Sequence, residues 1–405
     1  MRLLVSIDKR FLKARDGNIY SSNIFDYSFW ERYLQVFDEV FVFARLGESP
    51  NRTFDRARSN GPNVFFLPVP LYLGPWQFLA KYRKLNSLAK QATRQADAFL
   101  LRVPAPMSSL VWRELKRRKM CYGVEVVGDP YDQLAPGSVK SVVRPFARKL
   151  SVRFLIQQCR YAAVASYVTE RSLQQRYPPG NWSTYYSSIE LPDNAIIESA
   201  AIHQRIERIR KRNANKPWRI CYAGTMAQLY KAPDVLIDAV AQCLSDGLNV
   251  ELVMLGDGQY RGQLEQQAKR LGISNRVRFP GMFPNGPALY EQLDLSDLYV
   301  LPSRQEGLPR SIIESMARGV PCIGSTVGGI GELLDADLMV QPNNPKELAC
   351  KIKWLLNNPS RLETETQRGV EISKKYRASE LNPRRRDFYQ KLKEKTEEWQ
   401  KTRRV

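Results

Sequence analysis

Two glutamates eight residues apart, Glu306 and Glu314, frame the run SRQEGLPRSIIESMARGVPCIGSTVGG at 303–329. Gly307 and Pro309 lie between them, and Gly328-Gly329 close the run. That is too much turn chemistry for a core helix and too much apolar content for a plain loop. VLPS at 300–303 reads as the end of a strand, and Pro309 is tolerated only near the start of a helix. The spacing predicts a strand, a turn through Arg304, Gln305 and Glu306, and a helix from Pro309 to Gly319. A helix start presents unsatisfied N–H groups that suit a phosphate. The dipole contributes about 0.3–1 kcal/mol there, and up to about 2 kcal/mol in a sheltered geometry. A diphosphate would need further donors.

Lys231, in AGTMAQLYKAPDVL at 223–236, is the natural one, because it follows one predicted strand and precedes a helix. A charge-assisted contact of about 1.5–3 kcal/mol exceeds the dipole contribution. Glu306 in the turn can accept hydrogen bonds from hydroxyls lying beyond the phosphates. Glu314, one helical turn on, suits a vicinal diol such as ribose. Ribose, diphosphate, then sugar hydroxyls is the order of groups in a nucleotide sugar. The plainer alternative is two solvated glutamates around a helix start and an ordinary surface lysine. The Gly-Leu-Pro turn, the run ARGVP and the glycine pair together weigh against it.

The elements that must hold these residues are legible as two strand series. RLLVSI (2–7), EVFVFARL (39–46), NVFFLPV (63–69), AFLLRVP (98–104), GVEVVGD (123–129) and YAAVASYVT (161–169) form the first. WRICYAG (218–224), VELVMLG (250–256), RVRFPG (276–281), DLYVLPS (297–303), PCIGS (321–325) and LMVQP (338–342) form the second. Most runs are β-branched or aromatic and end near Gly, Pro or Asp, with helix-length segments between several of them. That is the mark of βαβ units around buried parallel strands. The expected fold class is α/β with two Rossmann-like lobes facing a cleft. Residues 1–195 would form an acceptor-binding lobe, 196–217 a linker and 218–375 a nucleotide-sugar lobe. Residues 376–405 would form a terminal helix that crosses back to the first lobe. The cleft facing the carboxyl ends of the strands is the expected ligand site.

The run EGLPRSIIE (306–314) resembles the E-x7-E element of retaining GT-B glycosyltransferases, family 4 in particular. ARGVPCIGSTVGG (317–329), LGDG (255–258) and VLPS (300–303) are similar to that family as well. The resemblance is strong over 218–345 and architectural before that. It implies that Glu314 binds ribose, that Glu306 with Gly307, Leu308 and Pro309 holds the donor sugar, and that Lys231 binds the diphosphate. Gly224, Thr225 and Ser311 fall within the same donor-binding elements. It also implies a retaining reaction in which the departing diphosphate accepts the acceptor's proton, so no side-chain base is required. One departure stands out: the family's usual Arg beside Gly224 is here Thr225, which leaves the phosphate clamp one cation short.

The remaining signals bound the reading. Six scattered cysteines without C-x-x-C, and a single histidine, His203, argue against zinc, against a disulfide framework and against a histidine base. No essential metal or cofactor is expected: Asp335-Ala-Asp337 imitates a D-x-D metal motif but falls in a loop of the wrong architecture. GDGQYRG (256–262) has its third glycine misplaced for a dinucleotide loop and reads as a turn lining the same site. Arg102 and Asp129 end predicted strands. Asp129 either faces the acceptor or the reacting sugar, or caps the turn before Pro130.

The net charge of +21 calls for an anionic partner. The segment 140–160 carries six basic residues and no acid, with Val143, Phe146, Leu150 and Phe154 on one helical face. It is either a surface for anionic membrane, where a lipid-linked acceptor would be found, or a core-packed helix with a solvated basic face. No reading helix or aromatic-basic module supports nucleic acid. A sugar-nucleotide epimerase on the same fold is the nearer alternative, disfavoured by the scarcity of histidine. The expectation is a nucleotide-sugar donor, a glycan or lipid-linked acceptor of bacterial cell-surface polysaccharide or lipopolysaccharide synthesis, and no nucleic acid. A cytoplasmic chain, peripheral on the inner membrane face through 140–160, is the accompanying localisation.

Overall fold

Apolar and β-branched runs become the strands of two parallel sheets. The computed structural model describes residues 1–21, 25–48, 58–134, 144–213 and 215–403. The chain divides into two units, one of Met1–Gly128, Lys149–Tyr186 and Asn382–Val405, the other of Asp129–Arg148 and Ser187–Leu381.

The first unit contains β1 (Arg2–Lys13), β2 (Ile19–Tyr20), β3 (Glu39–Glu48), β4 (Val64–Pro70), β5 (Ala98–Val103), β6 (Gly123–Val126), β7 (Val164–Tyr167) and β8 (Trp182–Tyr185). Their order is β4-β3-β1-β5-β6-β7-β8, all parallel, with β2 antiparallel on β1. Central strands are buried on both faces, as Leu3, Leu4 and Val5, and Phe99, Leu100 and Leu101, illustrate. β2 and β8 lack the apolar run that announces the other strands; WSTY in β8 is at most half-buried.

The second unit contains β9 (Trp218–Ala223), β10 (Val250–Leu255), β11 (Val277–Gly281), β12 (Leu298–Leu301), β13 (Cys322–Ser325) and β14 (Met339–Val340). They are parallel in the order β11-β10-β9-β12-β13-β14. Each sheet thus has one place where the chain, having wound outward on one side of its first strand, returns on the other. These switch points lie between β1 and β5, and between β9 and β12. Ligands of open α/β sheets gather beyond the carboxyl ends of the strands at such points.

One segment differs from the sequence expectation, and a second bears on it. Much of 196–217, read as a linker, is the helix Ser199–Arg210, packed in the second unit. Arg205 is buried there and donates to the Ser296 carbonyl at 2.7 Å, and Ile197 N–H donates to the Ala317 carbonyl at 3.0 Å. Burial, aided by Arg208, pushes the Arg205 guanidinium down to about 10. The other segment is the helix Arg144–Tyr161, which buries Leu155, Gln158 and Cys159. Of the apolar face expected there, Val143 lies outside the described residues, Phe146 is 72% exposed and Leu150 39% exposed. Phe154 packs near Trp112 at 6.1 Å between ring centroids.

From Asn382 onward the terminal helix, Ala378–Arg403, belongs to the first unit and buries Phe388, Tyr389 and Leu392 in it. It is fastened by the buried Glu125, whose Oε1 accepts from Tyr186 Oη at 2.8 Å and Tyr389 Oη at 3.1 Å. Oε2 accepts from Tyr33 Oη at 3.3 Å and from Arg102. No helix among the described residues is long and apolar enough to cross a membrane.

Candidate functional site

The predicted donor residues meet at the β9/β12 switch point. Beyond β9, Gly224 N–H donates to the Leu255 carbonyl at 2.9 Å. The chain then runs through a loop to the single 3-10 turn Leu229–Lys231 and the left-handed Ala232, before the helix Pro233–Ser245. Lys231 folds back across Gly224 so closely that a Cβ there would lie 2.5 Å from Lys231 Cδ and 2.8 Å from Tyr222 Oη. Any larger residue at 224 would have to push the Lys231 side chain aside. Thr225 Oγ1 accepts from Ala227 N–H at 3.1 Å and so closes its own loop. Beneath it the GDGQY turn is a brace: Met226 N–H donates to the Asp257 carbonyl, and Tyr260 N–H to the Met226 carbonyl.

Beyond β12, Ser303 Oγ donates to Glu306 Oε1 at 2.8 Å, while Ser325 Oγ donates to the Ser303 carbonyl at 2.5 Å. The Glu306 carboxylate is thereby aimed at Lys231, with Nζ 3.9 Å from Oε1 and both side chains mostly shielded. Gly328 takes φ +54 and presses on this turn; a Cβ there would lie 2.2 Å from the Glu306 carbonyl oxygen. Gly329 N–H donates to the Gly307 carbonyl at 2.6 Å. The glycine pair therefore acts on the backbone of Glu306 and Gly307.

The helix Arg310–Ala317 follows with Pro309 as its cap and no side chain on its first N–H groups, the open terminus expected of an anion site. Leu308 and Ser311 are buried beside it. Glu314 is 7% exposed. Burial raises its carboxyl above the ordinary glutamate range, opposed by the positive charges of Arg310 and Lys231. Burial, reinforced by Glu306, pushes the Tyr230 phenol up to about 12, which keeps it neutral.

Two arginines here carry more than the sequence indicated. Arg304 grips Asp234 through both guanidinium nitrogens, at 2.9 and 2.7 Å, and donates to Asn343 Oδ1 at 2.6 Å and to the Leu229 carbonyl. Its own N–H donates to the Tyr230 carbonyl at 2.7 Å, so it secures the turn that presents Lys231. Arg310 is the opposite case. Its Nε is buried without a partner, and it makes no hydrogen bond or ion pair among the described residues. It stands at the first position of the open helix, where a basic residue was visible in the sequence but read only as part of the motif.

Asp129 makes the local contact that was its second reading. Buried in the second unit, it caps the short helix Pro130–Gln133 and accepts from Tyr131 N–H at 2.8 Å. Its neighbour Asp132 reaches the site's rim, accepting from Gly328 N–H at 3.1 Å. Asp335 and Asp337 pair with Arg361 at 3.0 and 3.1 Å, and Asp335 also with Arg368 at 2.7 Å. His203 is exposed on the helix Ser199–Arg210.

At the β9/β12 switch point the doubly wound sheet thus joins an open helix terminus, an ammonium and two shielded carboxylates. Residues 217–358 match the family of glycosyl transferases group 1. The chain has the two-sheet α/β fold of GT-B glycosyltransferases, and its second unit carries the match to that group. Protein CapJ of Staphylococcus aureus is 27% identical over 354 residues, which span 86% of this chain and 84% of that protein. The 2-deoxystreptamine glucosyltransferase of Streptomyces kanamyceticus is 30% identical over 140 residues, 33% of this chain and 35% of that enzyme. Among solved structures, HepE of Anabaena in complex with UDP shares the fold. Its TM-score is 0.62 at 17% identity, covering 95% of this chain and 98% of that one.

Proposed function

We propose that the chain transfers a hexose from a nucleotide-diphosphate sugar to a glycan or lipid-linked acceptor with retention of configuration, in the assembly of a bacterial cell-surface polysaccharide. The observation that carries this reading is the juxtaposition of Lys231, Glu306 and the uncapped helix at Arg310 beyond β9 and β12. Glu314 accepts the ribose hydroxyls. Glu306, with the backbone of Gly307, Leu308 and Pro309, holds the donor sugar. Lys231 and Arg310 take the diphosphate, so Arg310 supplies the cation that Thr225 does not. As the glycosidic bond to the diphosphate breaks, negative charge grows on its leaving oxygen, which then accepts the acceptor hydroxyl's proton on the same face. Preorganised cations at that oxygen are the main catalytic resource, and the proposed step requires no metal. UDP bound in HepE favours a uridine donor.

Peripheral attachment to anionic membrane is part of the proposal, through Phe146 and Leu150 with the exposed Lys149 and Arg153 on the helix Arg144–Tyr161. The test is a panel of UDP- and GDP-sugars offered with glycan and lipid-linked acceptors in chelator, the product's anomeric configuration being read by NMR. Transfer with the donor's configuration kept is expected. Inversion, or activity abolished by chelator, sinks the corresponding part. Flotation with anionic liposomes should be lost in a K149E/R153E variant; unchanged flotation rules the attachment out.

A further inference from the structure

The first unit has its own switch point, between β1 and β5. β1 is laddered to β5 from Leu3–Ala98 to Ser6–Leu101, and there the pairing stops. On its other side β1 continues along β3, but the register shifts between the pairs Ser6–Phe43 and Arg10–Arg45. Ile7, Asp8 and Lys9 thus span a stretch opposite Ala44 alone, a bulge of the kind that re-aims side chains at a sheet's end. Ser108 Oγ lies 2.7 Å from the Arg102 carbonyl and 3.2 Å from the Ser6 carbonyl, which ties the ends of β5 and β1 together beside the bulge.

The charges on the bulge are unequally served. Asp8 is engaged through one oxygen: Arg45 Nε lies 2.8 Å from its Oδ1, and Tyr72 Oη donates to the same oxygen at 3.1 Å. Arg45 is spent there too, donating to the Tyr72 carbonyl at 3.1 Å and the Asp8 carbonyl at 3.2 Å. Lys9 has no such partner. Its Nζ stands 5.6 Å from the Phe25 ring centroid and makes no hydrogen bond or ion pair among the described residues. It is half-buried, and burial together with the like charges of Arg45 and Arg10 lowers its ammonium pKa. A half-buried ammonium facing like charges is unfavourable until an anion joins it.

We propose that Lys9, with the exposed Arg10 beside it, binds a phosphate carried by the acceptor at the β1/β5 switch point. The proposal rests on the glycosyltransferase reading and narrows its acceptor to a phosphate-bearing one. The phosphate could belong to a soluble sugar phosphate or to a lipid-linked sugar phosphate. The donor's diphosphate has its own cations at the other switch point, Lys231 and Arg310, so Lys9 is not needed there.

The test uses the full chain saturated with UDP, so that the nucleotide site is filled. Acylation of Lys9 is followed by mass spectrometry with glucose 1-phosphate, or with a polyprenyl phosphate in detergent. About tenfold slower labelling of Lys9 is expected with one of these, which also identifies the soluble or the lipid source. Protection by neither, or protection by UDP alone, overturns the proposal. In kinetics, K9M should raise KM for a phosphate-bearing acceptor about tenfold or more while UDP affinity stays as it was. An equal rise for a neutral acceptor also overturns it. Failure of the unaltered chain to bind either UDP or GDP would count against the nucleotide-sugar reading instead, and the labelling would still decide the phosphate site.

Discussion

Lys231 follows the first strand of its sheet and Lys9 lies in a bulge of the first strand of its own, past the end of the pairing with β5, and they are held in opposite ways. Lys231 lies 3.9 Å from a carboxylate that Ser303 has already oriented, and Arg304 fixes the turn that carries it. Lys9 has a ring on one side and guanidinium groups around it, while the nearby Asp8 is committed to Arg45. A lysine that must act on a leaving group benefits from fixed geometry before the substrate arrives. A lysine that only recognises an anion can leave its charge unanswered until that anion comes. Similar topology, with different neighbours, thus gives one preorganised site and one waiting site.

The comparison is broken most severely by disturbing the first unit alone. Behind its switch point Arg102 and Glu125 form a buried pair, joined by three tyrosines. E125Q leaves the Arg102 charge without its counter-ion and is expected to cost about 3–5 kcal/mol in denaturant unfolding. UDP affinity of the folded protein should not change. Burial opposes the charged Glu125, but Arg102 and Tyr186 win, and its carboxyl lies below the ordinary range. Its contribution is therefore present above the unfolded-state pKa and lost as pH falls through the lower folded value. E125Q should flatten that acid limb.

At the other switch point K231A is expected to reduce kcat by about 10²–10³-fold, as for other groups that stabilise developing negative charge. A raised KM with kcat intact would demote Lys231 to a ground-state contact. R310A should weaken UDP binding by about 10- to 100-fold, the range of a charge-assisted bond. R304A should lower kcat while leaving UDP affinity closer to native, because Arg304 acts by placing Lys231.

The smallest effect sharpens the role of Glu314. Its raised pKa means that donor binding weakens as pH falls through that value, sooner than with an unshifted glutamate. Stability moves the other way: the folded chain binds this proton more tightly, so the contribution is lost as pH rises through the folded pKa. UDP titrations and thermal unfolding across the acid range separate the two directions.

What could be read from the sequence divides along physical lines. Strands buried on both faces announce themselves as apolar runs, whereas β8, with WSTY half-buried, and the two residues of β2 do not. The donor motif is legible because Gly307, Pro309 and Gly328 are punctuation for which the backbone has few other uses. The two arginines of SRQEGLPR were not distinguishable, since what separates them is Asp234, 70 positions away, which holds Arg304 and ignores Arg310. Likewise, 196–217 looked like a linker because the carbonyl that receives Arg205 belongs to Ser296, far along the chain. Asp129 had two readings, and the geometry assigns it a cap.

The most direct test of the account is calorimetric titration of UDP and GDP into the native chain, a K231A/R310A variant and K9M. The account predicts one nucleoside diphosphate bound per chain. Affinity should fall by about a hundredfold or more in K231A/R310A, and K9M should match native. Native chain that binds neither nucleotide, or binding lost in K9M and kept in K231A/R310A, would contradict it.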